Sequence, residues 1–326
     1  MDGTIREVTP PLTPADLAPL GPAYRTVQFR SRLADDDLRR LAEFLEGHPS
    51  VRLRVYGGYD GSVTDLEFLR FFPKLRRFSV DAMYELPSLD GIRHLSPDLE
   101  ELTIGWTRSK RFSLRALERF NSLRTLYLEG QQKDIESLGR LTSLEDLTLR
   151  SITLPDLAVL EPLRRLKSLD LKLGGTRDIR HLPRIGRLEY VELWMVRGLD
   201  DVSALAEIET LEAFLLQALR NVTRLPSFAR STRLRSAALD TMKGITDLRP
   251  LAEAPRLEGL RLVSMRHLEP EALRPFVGHP TLRKGTWGLG SDRKNAEAWD
   301  LLPLGEKPYN YDACKARQTR RAGRRR

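Results

Sequence analysis

The chain has 326 residues, of which 40% are hydrophobic and 30% charged, a composition typical of a water-soluble protein with enough apolar material for a core. It contains no apolar run close to the roughly 18 residues of a membrane-spanning helix, and its first residues lack the pattern of a secretory signal. The single cysteine, Cys314, excludes a disulfide bond within the chain. Together these features predict a cytoplasmic location.

The formal net charge of +9 is unevenly distributed. The last twelve residues, KARQTRRAGRRR, hold seven basic residues and no acidic one. Removing these seven from the 54 basic residues leaves 47 against 45 acidic residues in the rest of the chain. The body of the protein is therefore nearly neutral, and the excess positive charge lies in the C-terminal segment.

The N-terminal region has the character of a capping element. Residues 1–23 are rich in proline, and the next segment contains LADDDLRRLAEFLEG at 33–47. In a helix, Leu38, Leu41, Phe44 and Leu45 would share one side, which is the pattern of an amphipathic helix. We predict that residues 1–49 form an N-terminal cap and the first copy of a repeat.

The pattern L-x-x-L-x-L recurs along most of the chain. LRTLYL at 123–128 and LEDLTL at 144–149 are clear copies, and successive copies start 21 to 26 residues apart. The twelve copies start at Tyr24, Ser50, Leu75, Leu99, Leu123, Leu144, Leu166, Leu188, Leu211, Leu234, Leu257 and Leu282. A period in this range with this signature indicates a leucine-rich repeat solenoid, which we predict over residues 50–289.

A second signal recurs in register with the first. Ten residues before a repeat start, aspartate or serine occurs at Asp65, Ser113, Asp134, Asp156, Asp178, Asp201 and Asp247. Such residues accept hydrogen bonds from the free backbone N–H groups at the start of a short helix. A catalytic carboxylate would occur once rather than seven times in register, so we predict that these residues are structural N-caps.

These motifs resemble the leucine-rich repeat family, in particular its short class with the form L-x-x-L-x-L-…-I-x-D-L-x-P-L. GITDLRPL at 244–251 matches the second half of that form. The class is known from bacterial internalins and from a regulatory subunit of protein phosphatase 1, and the resemblance covers roughly residues 24–290. It implies an α/β solenoid, curved like a horseshoe, with about twelve repeats, a parallel β-sheet on the concave face and short helices or 3-10 turns on the convex face. It also implies a bacterial source and a function in binding other proteins.

The chain departs from the family at one position. Three residues after the third leucine, where the family usually has asparagine or cysteine, it has Met83, Ile152, Val196, Leu219, Met242 and Met265. We therefore expect an apolar ladder in place of the asparagine ladder.

No sequence motif indicates catalysis. The chain lacks a phosphate-binding loop, GxGxxG and GxSxG, and its five histidines form no cluster with metal-ligand spacing. We therefore predict a protein that is not an enzyme, with no cofactor, no metal, no small-molecule substrate and no membrane partner.

The concave sheet face is the candidate binding site, because strand side chains alternate and the third, fifth and seventh repeat residues point away from the buried leucines. These 36 positions hold eight basic and seven acidic residues, which argues against nucleic acid, since a nucleic-acid groove carries one sign of charge. Tyrosine and tryptophan beside charged groups are typical of protein-interface hot spots. The predicted partner-binding residues are Trp106, Tyr127, Arg150, Asp170, Lys172, Tyr190, Glu192 and Trp194. For the two tryptophans, packing over loop residues at the strand ends is an equally open alternative.

The C-terminus predicts a cap and a tail. NAEAWDLLPLG at 295–305 reads as a short helix with Trp299 and Leu302, so we predict a cap at 290–308 and a disordered basic tail at 309–326. The alternative function is a nucleic-acid-associated factor in which the tail provides electrostatic affinity. The tail residues concerned are Arg317, Arg320, Arg321, Arg324, Arg325 and Arg326. A tail that is only a solvated end is the competing interpretation.

Overall fold

The computed structural model describes residues 4–57 and 61–305. The chain divides into two compact units, residues 1–152 and 153–326. Cys314 and the predicted tail at 309–326 lie outside the described residues, so the tail and the alternative function that depends on it stay predictions.

The described part of the first unit contains a parallel sheet in which each strand pairs with the next one along the chain. Its strands are β1 (Thr4–Glu7), β2 (Tyr24–Phe29), β3 (Arg52–Tyr56), β4 (Arg77–Asp81), β5 (Glu101–Ile104), β6 (Thr125–Glu129) and β7 (Asp146–Arg150). Its helices are α1 (Asp35–Glu46) and the 3-10 helices Glu67–Phe71, Asp90–His94, Leu114–Leu117 and Ile135–Arg140.

The described part of the second unit has the same organisation, again with parallel pairing of consecutive strands. Its strands are β8 (Ser168–Lys172), β9 (Tyr190–Trp194), β10 (Ala213–Gln217), β11 (Ser236–Asp240), β12 (Gly259–Val263) and β13 (Lys284–Trp287). Its helices are α2 (Arg249–Ala252), α3 (Asp292–Leu301) and the 3-10 helices Ala158–Leu160, Leu182–Arg184, Ser203–Glu207 and Pro270–Phe276.

The predicted leucine-rich repeat solenoid is confirmed in each unit. Strands β2 to β13 fall in the twelve predicted copies, and short helices or 3-10 turns come after most of them. The repeat leucines form the core; Leu126 and Leu128 of β6, for example, are fully buried. Burying one such side chain stabilises the fold by about 1.5–3 kcal/mol, so the stacked leucines account for much of the driving force.

Two local features differ from the expectations. Strand β1 was not expected; it pairs in parallel with β2 and precedes the buried residues Val8 and Leu12. Between β10 and β11, where every residue is described, no helix forms. In that repeat Arg224 occupies the cap position that seven other repeats give to aspartate or serine. The repeat with Ala272 at this position nevertheless forms the 3-10 helix Pro270–Phe276.

Six of the seven predicted N-cap side chains accept a hydrogen bond from a backbone N–H two residues further on. The distances are 2.8 Å at Asp65, 3.3 Å at Ser113, 2.8 Å at Asp156, 3.0 Å at Asp178, 2.8 Å at Asp201 and 2.9 Å at Asp247. The side-chain and backbone hydrogen bonds of Arg249 hold the pKa of Asp247 below its usual range. Asp247 is therefore an ionised turn-forming residue.

Asp134 is the exception, and the predicted capping role of its side chain is wrong. Its backbone is left-handed, with φ of 59°, and its carboxylate makes no bond to the helix that begins at Ile135. The carboxylate instead accepts a hydrogen bond from the hydroxyl of Ser113, the cap residue of the preceding repeat. The left-handed backbone of Asp134 thus occurs together with a carboxylate that bonds to Ser113 and not to the helix after it.

The apolar ladder occupies the place expected for it. Its six members, from Met83 to Met265, are each at most 4% exposed. The backbone N–H of Met242 donates to the sulfur of Met265 at 3.3 Å. Where the ladder position is polar, the Gln131 side chain donates to the Thr107 hydroxyl at 2.7 Å. A sulfur atom and a hydroxyl group thus accept hydrogen bonds along this ladder, where the expected asparagine is missing.

The turn after most strands has a common backbone conformation. At the eighth repeat position φ is positive in nine repeats: Gly57, Ala82, Gly130, Ser151, Leu173, Met195, Ala218, Thr241 and Ser264. This conformation costs roughly 1–2 kcal/mol in a residue other than glycine. Hydrogen bonds offset that cost, since the N–H of Met195 donates to the Gln217 carbonyl at 2.9 Å and that of Ala218 to the Asp240 carbonyl at 2.9 Å. Each turn therefore leaves its strand along the same path.

Candidate protein-binding face

All candidate residues except Trp106, which stands one residue beyond the seventh position of its repeat, lie on the face formed by the third, fifth and seventh side chains of each repeat. We call this face the polar sheet face. Trp106, Tyr127 and Arg150 belong to the first unit. Asp170, Lys172, Tyr190, Glu192 and Trp194 belong to the second. Each unit thus carries its own group of candidate residues.

The charges of the first unit's polar sheet face are largely paired with one another. The Arg54 guanidinium donates to Asp81 at 2.9 and 2.6 Å, and this hydrogen bonding raises the pKa of Arg54. Arg52 and Arg77 both pair with Glu101. Cross-strand pairs of this kind stabilise a sheet by about 0.2–1 kcal/mol each. The near balance of basic and acidic residues is therefore a consequence of pairing across the strands.

Tyr127 and Arg150 meet at a residue that the sequence prediction omitted. The Tyr127 hydroxyl donates to Glu129 at 3.1 Å, and Arg150 Nε lies 3.0 Å from the same carboxylate. Burial raises the pKa of the Tyr127 hydroxyl to about 12. Glu129 thus holds both side chains in fixed positions on the polar sheet face.

We expect Tyr127 to remain largely protonated at pH 11 in the folded protein, where a tyrosine with the ordinary pKa of about 10 is mostly ionised. Because the folded state holds this proton more strongly than the unfolded state, the associated stability is present below pH 10 and is lost as the pH rises toward 12. The difference in absorbance at 295 nm between the wild type and Tyr127→Phe measures the ionisation. In protein unfolded by urea, this absorbance difference should have its titration midpoint near pH 10, the ordinary tyrosine pKa of about 10. A midpoint near pH 10 in the folded protein as well would contradict the prediction.

Trp106 packs against its own loop and the next repeat. The residue is 39% exposed, and the centroid of its ring lies 3.3 Å from the ammonium of Lys110, a cation–π contact. A Cβ at Gly130 would lie only 2.9 Å from the ring, so the glycine leaves room for the indole. Burial lowers the pKa of Lys110. Trp106 therefore matches the alternative in which a tryptophan packs over loop residues.

Tyr190 is not accessible, which corrects its predicted role as a partner-contacting residue. The side chain is 0% exposed, and its hydroxyl donates to Glu192 at 3.2 Å. Its register neighbours are Ser168 on β8 and Ala213 on β10. Because Ser168 and Ala213 are small, the sheet has space for the ring of Tyr190. Tyr190 is therefore a buried packing residue and not a partner contact.

Three more of the predicted residues form a compact ionic cluster. The ammonium of Lys172 lies 3.2 Å from Asp170 and 3.0 Å from Glu192. The side chains of Asp170, Glu192 and Lys172 are 1%, 10% and 18% exposed. Lys172 therefore pairs with two mostly buried carboxylates, so these three residues contribute little accessible surface.

Accessible apolar side chains occur at and next to the polar sheet face of the second unit. Trp194 is half-buried, and the neighbouring Met195 is 41% exposed. Leu173 and Leu215 are also half-buried; the N–H of Leu173 donates to the Trp194 carbonyl at 2.8 Å, and Leu215 lies on the adjacent strand β10. We call Leu173, Trp194, Met195 and Leu215 the Trp194 patch.

A scan against protein-family models gave no match, and a search of curated proteins gave none either. Among solved structures, the internalin inlF from Listeria monocytogenes is similar, with a TM-score of 0.57 and 16% identity over 90% of this chain and 88% of that one. The chain has an internalin-like leucine-rich repeat fold. A structure of a TLR13–ssRNA13 complex shares the leucine-rich repeat fold, with a TM-score of 0.54 and 16% identity over 84% of this chain and 44% of that one.

Two other kinds of site are absent within the described ranges. Over residues 4–57 and 61–305, the leucine-rich repeat fold contains no helix with the length and apolar character needed to cross a bilayer. Over the same residues it holds no group of three or more histidine, cysteine or acidic side chains that could bind a metal ion.

Sequence reasoning missed Leu173, Met195 and Leu215 as surface residues of the leucine-rich repeat fold. The sequence could have identified Leu215 as an apolar surface residue, because it stands at the fifth repeat position, where most repeats have a polar residue. Leu173 and Met195 stand at the eighth position, whose left-handed turn directs the chain away from the sheet. That turn conformation was not predicted from the sequence.

Proposed function

We propose that this leucine-rich repeat protein is a non-enzymatic interaction module that binds a protein partner through its polar sheet face, with the main contact at the Trp194 patch. The observation that carries the proposal is a half-buried tryptophan beside a methionine that is 41% exposed. Tryptophan and methionine are enriched in protein interfaces, and a tryptophan at the centre of one is often a hot spot.

Rigid support favours binding at this patch. Trp194 lies beside Lys172 in the sheet register, and Lys172 is held by Asp170 and Glu192. A surface that is ordered before binding loses less conformational entropy on association. For the first unit taken by itself, Tyr127 and Arg150 are the proposed contact residues, and Glu129 holds both.

The test is quantitative affinity purification from the native cell with tagged full-length protein. We expect Trp194→Ala to reduce recovery of the partner at least tenfold, the effect of losing a hot-spot residue worth about 2 kcal/mol or more. Met195→Glu is a second variant; its exposed side chain can be charged without disturbing the core, and it should give a similar loss.

Val277→Ala is the matched control, because Val277 is a 55% exposed apolar residue elsewhere in the second unit. Recovery should be unchanged in this variant, and thermal melts should be the same for all three proteins. Full recovery of the same partner with both patch variants would show that the partner binds elsewhere.

A further inference from the structure

A row of basic residues runs through four consecutive repeats of the second unit. At the tenth repeat position stand Arg197, Arg220, Lys243 and Arg266, each 23 residues after the one before. All four are exposed, and none forms an ion pair with another described residue. By contrast, the basic residue at this position in the first unit, Arg108, is paired with Glu85 at 2.6 Å.

The common turn aligns these four residues. Each comes shortly after a left-handed residue, namely Met195, Ala218, Thr241 or Ser264, with φ between 49° and 54°. The last strand residues of these repeats are in register, Trp194 with Gln217, Gln217 with Asp240, and Asp240 with Val263. Neighbouring strands are about 4.8 Å apart, so the four repeats place the residues at regular intervals over about 14 Å.

Small neighbours leave the row accessible. The residues directly after Arg197, Arg220 and Lys243 are Gly198, Asn221 and Gly244. The exposed Arg177 lies against Gly198, where a Cβ would be 2.6 Å from its Nε, and extends the row by one cation.

The acidic residues of these loops are mostly engaged elsewhere. Asp201 and Asp247 bond to the backbone of the turns that come after them, and Glu269 pairs with Lys294 at 2.6 Å. Asp200 in the first of the four loops and Glu271 in the last are exposed carboxylates. Like charges at regular intervals of one strand spacing repel one another, so an extended polyanion is the ligand that this row fits.

We propose that the row of Arg197, Arg220, Lys243 and Arg266, which we call the basic row, binds the phosphodiester backbone of a nucleic acid. Three of the four are arginines, whose planar guanidinium matches phosphate oxygens bidentately. Exposed Asn221, Thr223 and Thr246 in the same loops supply neutral donors of the kind that also contact phosphates. The near balance of charge that argues against nucleic acid concerns the polar sheet face, and the basic row lies in the loops beyond it.

The test is fluorescence anisotropy of the full chain with a labelled 20-nucleotide oligothymidine and, in a second arm, a 20-base-pair duplex, each at 50 to 200 mM KCl. Changing all four residues of the basic row to glutamine should weaken binding at least tenfold at 50 mM. Four phosphate contacts give a slope of log K against log salt of about −3 on a single strand, so the slope should become shallower by about that amount. The arm with the larger loss identifies single-stranded or duplex nucleic acid as the ligand.

The matched control changes Arg187, Arg230, Arg233 and Arg256 to glutamine. These four arginines are exposed in the same unit but lie outside the basic row, so net charge falls equally. The control should lose less than threefold in affinity. Equal losses in the two variants, no binding by the wild type at 50 mM, or displacement of the oligonucleotide by polyglutamate at equal charge concentration would each overturn the proposal. A variant lacking residues 315–326 should still show the loss caused by the four substitutions.

Discussion

Replacing Tyr190 with alanine is expected to lower the free energy of unfolding of the second unit by about 3–5 kcal/mol, as when other large aromatic core residues are truncated. The side chain is fully buried, so removal of the ring leaves a cavity, and it also removes the hydroxyl that donates to Glu192. Urea denaturation followed by far-ultraviolet circular dichroism measures the loss as a shift of the transition midpoint.

Tyr190→Phe and Tyr84→Ala are the comparisons. Phenylalanine keeps the ring and loses only one hydrogen bond, which should cost about 1 kcal/mol. Tyr84 is 51% exposed, and its truncation should change stability by no more than about 0.5 kcal/mol. If Tyr190→Ala proved no more costly than Tyr84→Ala, the buried position of Tyr190 would be wrong. Because Tyr190 is a packing residue, the search for a binding partner depends on Trp194 and Met195 instead.

Lys172→Met is expected to destabilise the second unit by about 3–5 kcal/mol, since breaking a buried ionic contact by removing one of its partners is strongly destabilising. The ammonium of Lys172 lies within 3.2 Å of both Asp170 and Glu192. Methionine fills a similar volume to lysine, so the decrease in the free energy of unfolding measures mainly the effect of removing the charge. The same denaturation experiment measures it.

Lys284→Met is the control for the general effect of removing a lysine from the sheet. Lys284 is exposed on β13, and its replacement should change stability by no more than about 0.5 kcal/mol. Adding Glu192→Gln to Lys172→Met should cost less than the two single changes together, because the lysine and the carboxylate interact. Strictly additive losses would show that Lys172 and Glu192 are not coupled.

The repeat period predicted much of the fold, because the leucines that recur every 21 to 26 residues are the side chains that the stack must bury. That period placed the twelve strands β2 to β13. It did not predict β1, whose residues pair with residues of β2 20 or 21 positions further on but whose sequence TIRE lacks the leucine pattern.

The candidate site was predicted less well than the fold. Strand alternation assigns Tyr190 and Trp194 to the same face. How far each side chain is buried on that face depends on the residues of the neighbouring strands. Small residues flank Tyr190 in the register, and its ring is buried, whereas Trp194 stays half-buried at the end of the strand. Likewise, counting charges showed a near balance, but only the tertiary structure shows that Arg54 and Asp81 neutralise each other.

The basic row could have been found in the sequence, since Arg197, Arg220, Lys243 and Arg266 occur at a constant interval of 23 residues. Only the left-handed turns and the strand register show that they stand side by side and without ion pairs to other described residues. The N–H groups of Met195, Ala218 and Thr241 each bond to the last residue of the next strand, so these turns leave the sheet along the same path.

The sequence by itself determined the repeat fold, the phase of its strands and most of its helix-start residues. The buried leucines and the cap residues recur at the repeat period, so both can be recognised along the chain. The tertiary structure alone decided which residues of the polar sheet face are accessible. Accessibility depends on side chains from adjacent repeats about twenty residues away, and no period along the chain encodes how closely those side chains pack.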